Sequence, residues 1–316
     1  MCVVGVFVLF FSQSITSTSA PPRFNPKTVV PSPLPPIIEP PIVSAMEAGQ
    51  SLNEAELVLG VTIGDESRAY PINMLTGPQR EIINDELAGQ AIAATWSHLC
   101  HNGIVYARQV KDRKLTFAVS GMLWQSNLVM MDQESGGLWS QILGTCMQGP
   151  LEGAQLATLP STMTDWNTWR RHHPRTTVLV MPRTSERFRR EIYREASKYV
   201  LGVASGRKAR AWPFDQLYFV PVLNDSFLGV PIVVAFHSES GSAYIYDRRV
   251  DGQTLSFTFR NGALVDEQTG TKWSWATGKA RTGELHDRQL KPLVGLVSYR
   301  RAWEEFHPKS QFWGAQ

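Results

Sequence analysis

The stretch Trp96-Ser97-His98-Leu99-Cys100-His101-Asn102-Gly103 places one thiol between two imidazoles. Thiolate and imidazole together are the ligand pair suited to copper and zinc. His98 and Cys100 are two apart, so on a strand both would face one side. His101 would face the other side unless the chain turns, and Asn102-Gly103 is a turn signal. Met122, which follows Gly121, offers a soft thioether from a distant loop. The expected metal set is therefore His98, Cys100, His101 and Met122, with copper or zinc as the cofactor. His172, His173 and Cys146 are further distant candidates, while Met130 and Met131 sit in an apolar run, "NLVMM", and read as core. Two other chemistries stay open. An imidazolium beside Cys100 would lower its pKa and make it a redox or nucleophilic thiol. Alternatively Cys100 and Cys146 form a structural disulfide.

The elements that must hold these residues are written twice in the chain. "LGVTIGDESRAYPINML" (59–75) matches "LGVASGRKARAWPFDQL" (201–217), and "NDELAGQAIAATW" (84–96) matches "NDSFLGVPIVVAF" (224–236). "LWSQILGTCMQGPLEGAQL" (138–156) matches "KWSWATGKARTGELHDRQL" (272–290), and "WRRHHP" (169–174) matches "WEEFHP" (303–308). The order is the same in both halves, and the spacing is far longer than a solenoid period. Each half reads as short strands joined by turns, with hairpin turns at 110–113 and 250–253, the latter carrying Asp-Gly. The expected fold is mainly β with a few short helices (α+β), as two tandem homologous β-rich modules related by an approximate two-fold.

The repeat acts as an internal control. Aligned through Tyr106 and Tyr246, Cys100 falls opposite Ser240, His98 opposite Ser238, and Cys146 opposite Ala280. The frame therefore needs neither Cys nor His there, which points to function in the first half. Asp132 and Asp266, Trp139 and Trp273, and His173 and His307 recur, and so read as architecture. Gln141 and Gln148 differ from Trp275 and Thr282 and are read as lining a first-half pocket.

Residues 3–11 form an apolar run, followed by small polar residues up to Ala20. That outlines a secretory leader over 1–20, although no Lys or Arg precedes it. Export to the periplasm or the extracellular space follows, with no transmembrane anchor after cleavage. Residues 21–45 are proline-rich and read as an extended tether. Residues 46–182 form the first repeat, 183–200 a charged connecting helix, and 201–316 the second repeat. A net charge of +3 over 316 residues argues against a nucleic-acid partner. No GxxxxGK[ST], HExxH or GxSxG motif occurs, so nucleotide and hydrolase chemistry find no footing.

The ordered set RAYP, ND, Cys100, LWSQ, Trp169 and His173-Pro174 resembles an uncharacterised prokaryotic family, domain of unknown function 3179, over roughly residues 35–310. The resemblance implies no settled activity or cofactor. Family members carry Cys-Pro-Leu-Cys where this chain has Ser97-His98-Leu99-Cys100, so only the second cysteine position is kept. The reading opposed to a metal or thiol site is a non-catalytic binding module. It would hold a glycan, peptide or protein in a cleft between the repeats.

Overall fold

The computed structural model describes residues 23–314. The leader expected over 1–20 lies outside them. The chain is mostly β, with five short α-helices among the described residues. None of those helices is long and apolar enough to cross a membrane.

The sheets come in pairs with the same strand order. In the first half Ser161–Asp165, Leu57–Ile63, Glu66–Pro71 and Thr177–Leu179 lie side by side. In the second half Leu296–Tyr299, Tyr199–Ser205, Lys208–Pro213 and Gln311–Phe312 do the same. A second pair places Gln90–Ser97 between Ile82–Leu87 and Asn102–Ala107, and Val230–His237 between Val222–Phe227 and Ser242–Asp247. A third pair opens on the hairpins Phe117–Trp124/Asn127–Asp132 and Phe257–Arg260/Ala263–Asp266.

The recurring residues make recurring contacts. Trp139 Nε1 donates to Asp132 Oδ2 at 2.8 Å, and Trp273 Nε1 to Asp266 Oδ2 at 2.9 Å. The Trp169 ring stacks on His173 and the Trp303 ring packs on His307. Arg68 pairs with Asp85, and Arg210 with Asp225. These are the architectural roles that recurrence predicts.

One core is shared by both halves. It joins Leu57, Tyr70, Trp96 and Val105 to Leu201, Trp212, Phe236 and Ile245. Strand alternation sends the other face of each β-sheet into a separate core, around Trp139 and around Trp273.

Two expectations are corrected here. Residues 183–200 do not form a connecting α-helix; they run as irregular chain and then through two 3-10 turns, Arg190–Arg194 and Ala196–Lys198. The reason is that their backbone is already engaged. Leu57 N–H donates to Phe188 C=O, Phe188 N–H donates to Asn73 Oδ1, and Arg190 N–H donates to Ala55 C=O. Phe188, Tyr193 and Tyr199 are all buried. The proline-rich segment is more than a tether. Lys27–Thr28 adds to Phe117–Trp124, Ile37 bridges to Ile83, and Ile42–Ser44 adds to Thr177–Leu179. It is a strap across the first half.

Candidate functional site

The Cys/His stretch is a turn. Strand Gln90–Ser97 ends at Ser97 and strand Asn102–Ala107 begins at Asn102, so 98–101 make the reversal. This corrects the expectation that His98 and Cys100 share a strand face. His98 points outward and its Nδ1 lies 2.6 Å from Glu81 Oε1. Cys100 points inward, 1% exposed, with Sγ 3.5 Å from the Ser126 carbonyl. Burial pushes the Cys100 thiol up. That is the opposite of what an activated thiolate requires.

His101 takes a third direction. Its Nδ1 meets the Tyr199 hydroxyl at 2.9 Å and its Nε2 the Tyr299 hydroxyl at 3.0 Å, with the Tyr299 ring stacked on it. Burial first, then the charges of Arg187, His98 and Lys198, lower its pKa to about 4. A neutral imidazole carries one N–H, so one tyrosine accepts and the other donates. His101 has φ 49°, a left-handed conformation that its counterpart Gly241 adopts at φ 63°. Met122 lies in an apolar cluster with Trp124, Val129, Ile142 and Phe306.

The four expected ligands are therefore dispersed, not brought together. Among the described residues no three His, Cys, Asp or Glu side chains gather as a metal-ligand group. The Cys100–Cys146 disulfide is not formed either. Both thiols are free, and Cys146 is buried in the core around Trp139 with its Sγ near the Gln148 carbonyl. Cys100 and Cys146 should both react with a thiol reagent in denatured, unreduced protein, and only slowly in the native state. A peptide map showing the two linked would contradict this.

Gln141 lines no open pocket. It is buried, accepts from Asn127 Nδ2 at 3.0 Å and donates to Thr95 Oγ1 at 3.0 Å. Gln148 is exposed. Where Gln141 stands, the second half has Trp275, and His237 stacks on it with ring centroids 4.0 Å apart. His237 Nδ1 lies 2.7 Å from Ser240 Oγ, which continues to Ser242 and Thr164. The second half thus has its own histidine at this turn, opposite Ser97 and not opposite His98. An alignment by residue type passes over it.

A concavity lies elsewhere, between the halves. A cleft of about 740 Å³ is bounded by Gly60 and Thr62, by Trp169 and the stretch from Arg171 to Arg175, and by Tyr244, Lys279 and Arg281. Arg171, Arg175, Lys279 and Arg281 line it against a single carboxylate, Asp65. None of the four cations takes part in an ion pair among the described residues. His172 and His173 are held near a pKa of about 4, by burial first and neighbouring positive charges second. Arg281 Nη2 approaches His172 Nδ1 at 3.4 Å. Arginine only donates, so that nitrogen is bare and the His172 proton sits on Nε2.

The corresponding place in the other half is packed around Phe306, beside a shallow concavity lined by Ser126, Arg301, Glu304 and Glu305. Arg171 and His172 of "WRRHHP" become Glu305 and Phe306 of "WEEFHP". Phe306 packs edge-on against Trp124 at 5.0 Å, in a cluster that also takes Leu143, Met147 and Phe24 of the strap. The cleft residues were thus marked in the sequence as an Arg-to-Glu and His-to-Phe exchange between repeats. From the residues alone, His172 and His173 read as distant metal-ligand candidates and the recurring Trp and His-Pro as frame, while the change of charge between repeats carries no reading.

The family model described as a protein of unknown function, DUF3179, matches residues 32–310. The chain belongs to the DUF3179 family. Neither the curated proteins nor the solved structures contain a match to it. Membership in DUF3179 therefore brings no reaction with it, and the chemistry of this DUF3179 chain rests on its own residues.

Proposed function

We propose that this protein is a binding module that holds an acidic glycan in the cleft between its halves. The observation that carries the reading is the one-sided charge of that cleft: four unpaired cations face one carboxylate, while the counterpart place carries Glu305 where the cleft has Arg171 and packs Phe306 into an apolar cluster. A repeated frame whose counterpart place does without these cations has no structural need for the charge. The wall also offers hydroxyls, Thr62, Ser161, Thr162 and Thr277, which suit the hydroxyls of a sugar. Clustered cations between low-dielectric walls concentrate an anionic ligand and speed its arrival.

Two further readings belong to this proposal. The paired sheet orders and paired contacts support two homologous modules packed about an approximate two-fold. Export, which rests on residues 1–20, fits a glycan ligand, and N-terminal sequencing of the purified protein tests it. The competing reading puts copper or zinc, or thiol redox chemistry, at Cys100. Metal content of untagged protein, measured by mass spectrometry, tests that reading independently.

The test of the cleft uses oligogalacturonate as the acidic glycan and oligoglutamate as an acidic peptide. Wild-type protein should bind oligogalacturonate saturably in calorimetry, more weakly as salt is raised. Arg171→Glu with Arg281→Glu should weaken it by about 100-fold, since two attractions become repulsions at close range. Arg113→Glu with Lys114→Glu, on an exposed hairpin outside the cleft, should change it little. Equal loss in both variants would show that the binding is only net charge. Preference for oligoglutamate would move the ligand class to acidic peptides.

A further inference from the structure

The strap marks out what the second half is missing. In the first half, Leu34 N–H donates to the Val119 carbonyl at 2.9 Å. The Ile37 carbonyl accepts from both Asn84 N–H and Asn84 Nδ2, each at 3.0 Å. The strap thus crosses the seam between Phe117–Trp124 and the edge strand Ile82–Leu87 and covers it: Val119 is 6% exposed and Asn84 2%.

The same seam in the second half lies between Phe257–Arg260 and Val222–Phe227, and each of these strands is the edge of its sheet. Phe259, at the place of Val119, is 50% exposed, and Asn224, at the place of Asn84, is exposed. Asn224 keeps the inner half of the arrangement. Its Nδ2 donates to the Phe257 carbonyl at 2.7 Å and its Oδ1 accepts the Phe257 N–H at 2.8 Å. Asn84 makes the same two bonds to Phe117 and gives its second amide hydrogen to the strap. The second amide hydrogen of Asn224 has no such acceptor among the described residues. Exposed Phe219 and Val220 stand just before the same edge strand.

We propose that this seam is a docking edge for an extended, proline-spaced segment of a partner protein, bound as the strap is bound to the first half. The inference rests on the correspondence of the two halves and not on the cleft. The strap dictates the occupant's chemistry. Prolines pre-order it as an extended chain. An apolar pair three residues apart, like Leu34 and Ile37, covers the seam. A carbonyl at the second of these meets the Asn224 amide, and an edge strand supplies the remaining main-chain groups. Charge plays little part, since the strap between Pro31 and Pro41 holds only Glu39.

A synthetic peptide of residues 31–41, PSPLPPIIEPP, is the probe, added to the full chain. One equivalent should bind, and hydrogen exchange should slow at residues 222–227 and 257–260. Phe259→Ser should weaken binding about tenfold, the effect of losing one large apolar contact, with an unchanged circular dichroism spectrum. A peptide with serine at both Leu34 and Ile37 should not bind. No saturable binding up to millimolar peptide would overturn the proposal. So would protection confined to residues 82–87, which would mean that the peptide only displaces the strap. Concentration-dependent pairing of two chains through residues 222–227 would overturn it too, because the edge would then serve a second copy.

Discussion

Gly60→Ala is expected to be among the most destabilising single-methyl changes in this protein, at about 3 kcal/mol or more. A Cβ at Gly60 would lie 2.6 Å from Trp169 Cη2, with two other ring atoms nearer still. The ring cannot step aside. Trp169 is 4% exposed, its Nε1 donates to Thr176 Oγ1 at 2.9 Å, and His173 stacks on it at 3.9 Å. Gly202 meets Trp303 in the same way, with a would-be Cβ 2.5 Å from Cζ2. Gly202→Ala should therefore cost a similar amount. Denaturant midpoints of the two variants check this. The cause is separable from generic disturbance of the strand, because Trp169→Leu would leave space for the methyl. The cost of Gly60→Ala measured in a Trp169→Leu background should fall well below its cost in the wild type. Equal costs in the two backgrounds would show that the clash is not with the ring.

Acid is expected to unfold the protein through its histidines before most carboxylates are protonated. His101, His172, His173 and His307 are all held to a pKa of about 4, with burial the largest cause in each. Unfolded, each titrates near 6.5. Above that value both states are neutral and the groups contribute no slope. As pH falls from 6.5 towards 4, the unfolded chain takes up protons that the folded chain refuses, so stability falls with pH across that window. The ceiling is on the order of 3 kcal/mol per histidine, reduced by whatever solvent reaches each ring. The urea midpoint should drop steeply between pH 6.5 and 4.5. His307→Gln should flatten that slope by close to one proton, because His307 is lowered by burial alone and stands outside the charged cleft. A midpoint that does not move across this range would show that the folded protein protonates these rings freely.

The recurring motifs, the β-rich class and the architectural roles of Asp132, Asp266, His173 and His307 were legible from residues alone. All of them depend on local pattern repeated in order: alternation, turn chemistry and a recurring Trp-Asp or Trp-His pair. The connecting segment misled for a physical reason. Arg, Glu and Lys favour helix in isolation, but Phe188, Tyr193 and Tyr199 point into one core from both halves, and residues 55–57 and 73 take up the backbone of 188–190. Long-range partners overrode a propensity worth only tenths of a kcal/mol per residue.

The Cys/His cluster shows the same limit at a site. Spacing places His98, Cys100 and His101 within four residues, but it cannot say where a turn sends each side chain. The turn sends one to Glu81, one to the Ser126 carbonyl and one to two tyrosines from the second half. The cleft is the converse case. Arg171, Arg175, Lys279 and Arg281 come from segments about a hundred residues apart, and their shared sign has meaning only once the two halves are packed. What the sequence determines by itself is therefore the repeated unit and its internal contacts, since these are local and written twice. What only the tertiary structure decides is which of two corresponding surfaces is packed by Phe306 and the strap, and which gathers four cations in one cleft. That outcome depends on how far side chains reach across the joint between halves, which no local pattern encodes.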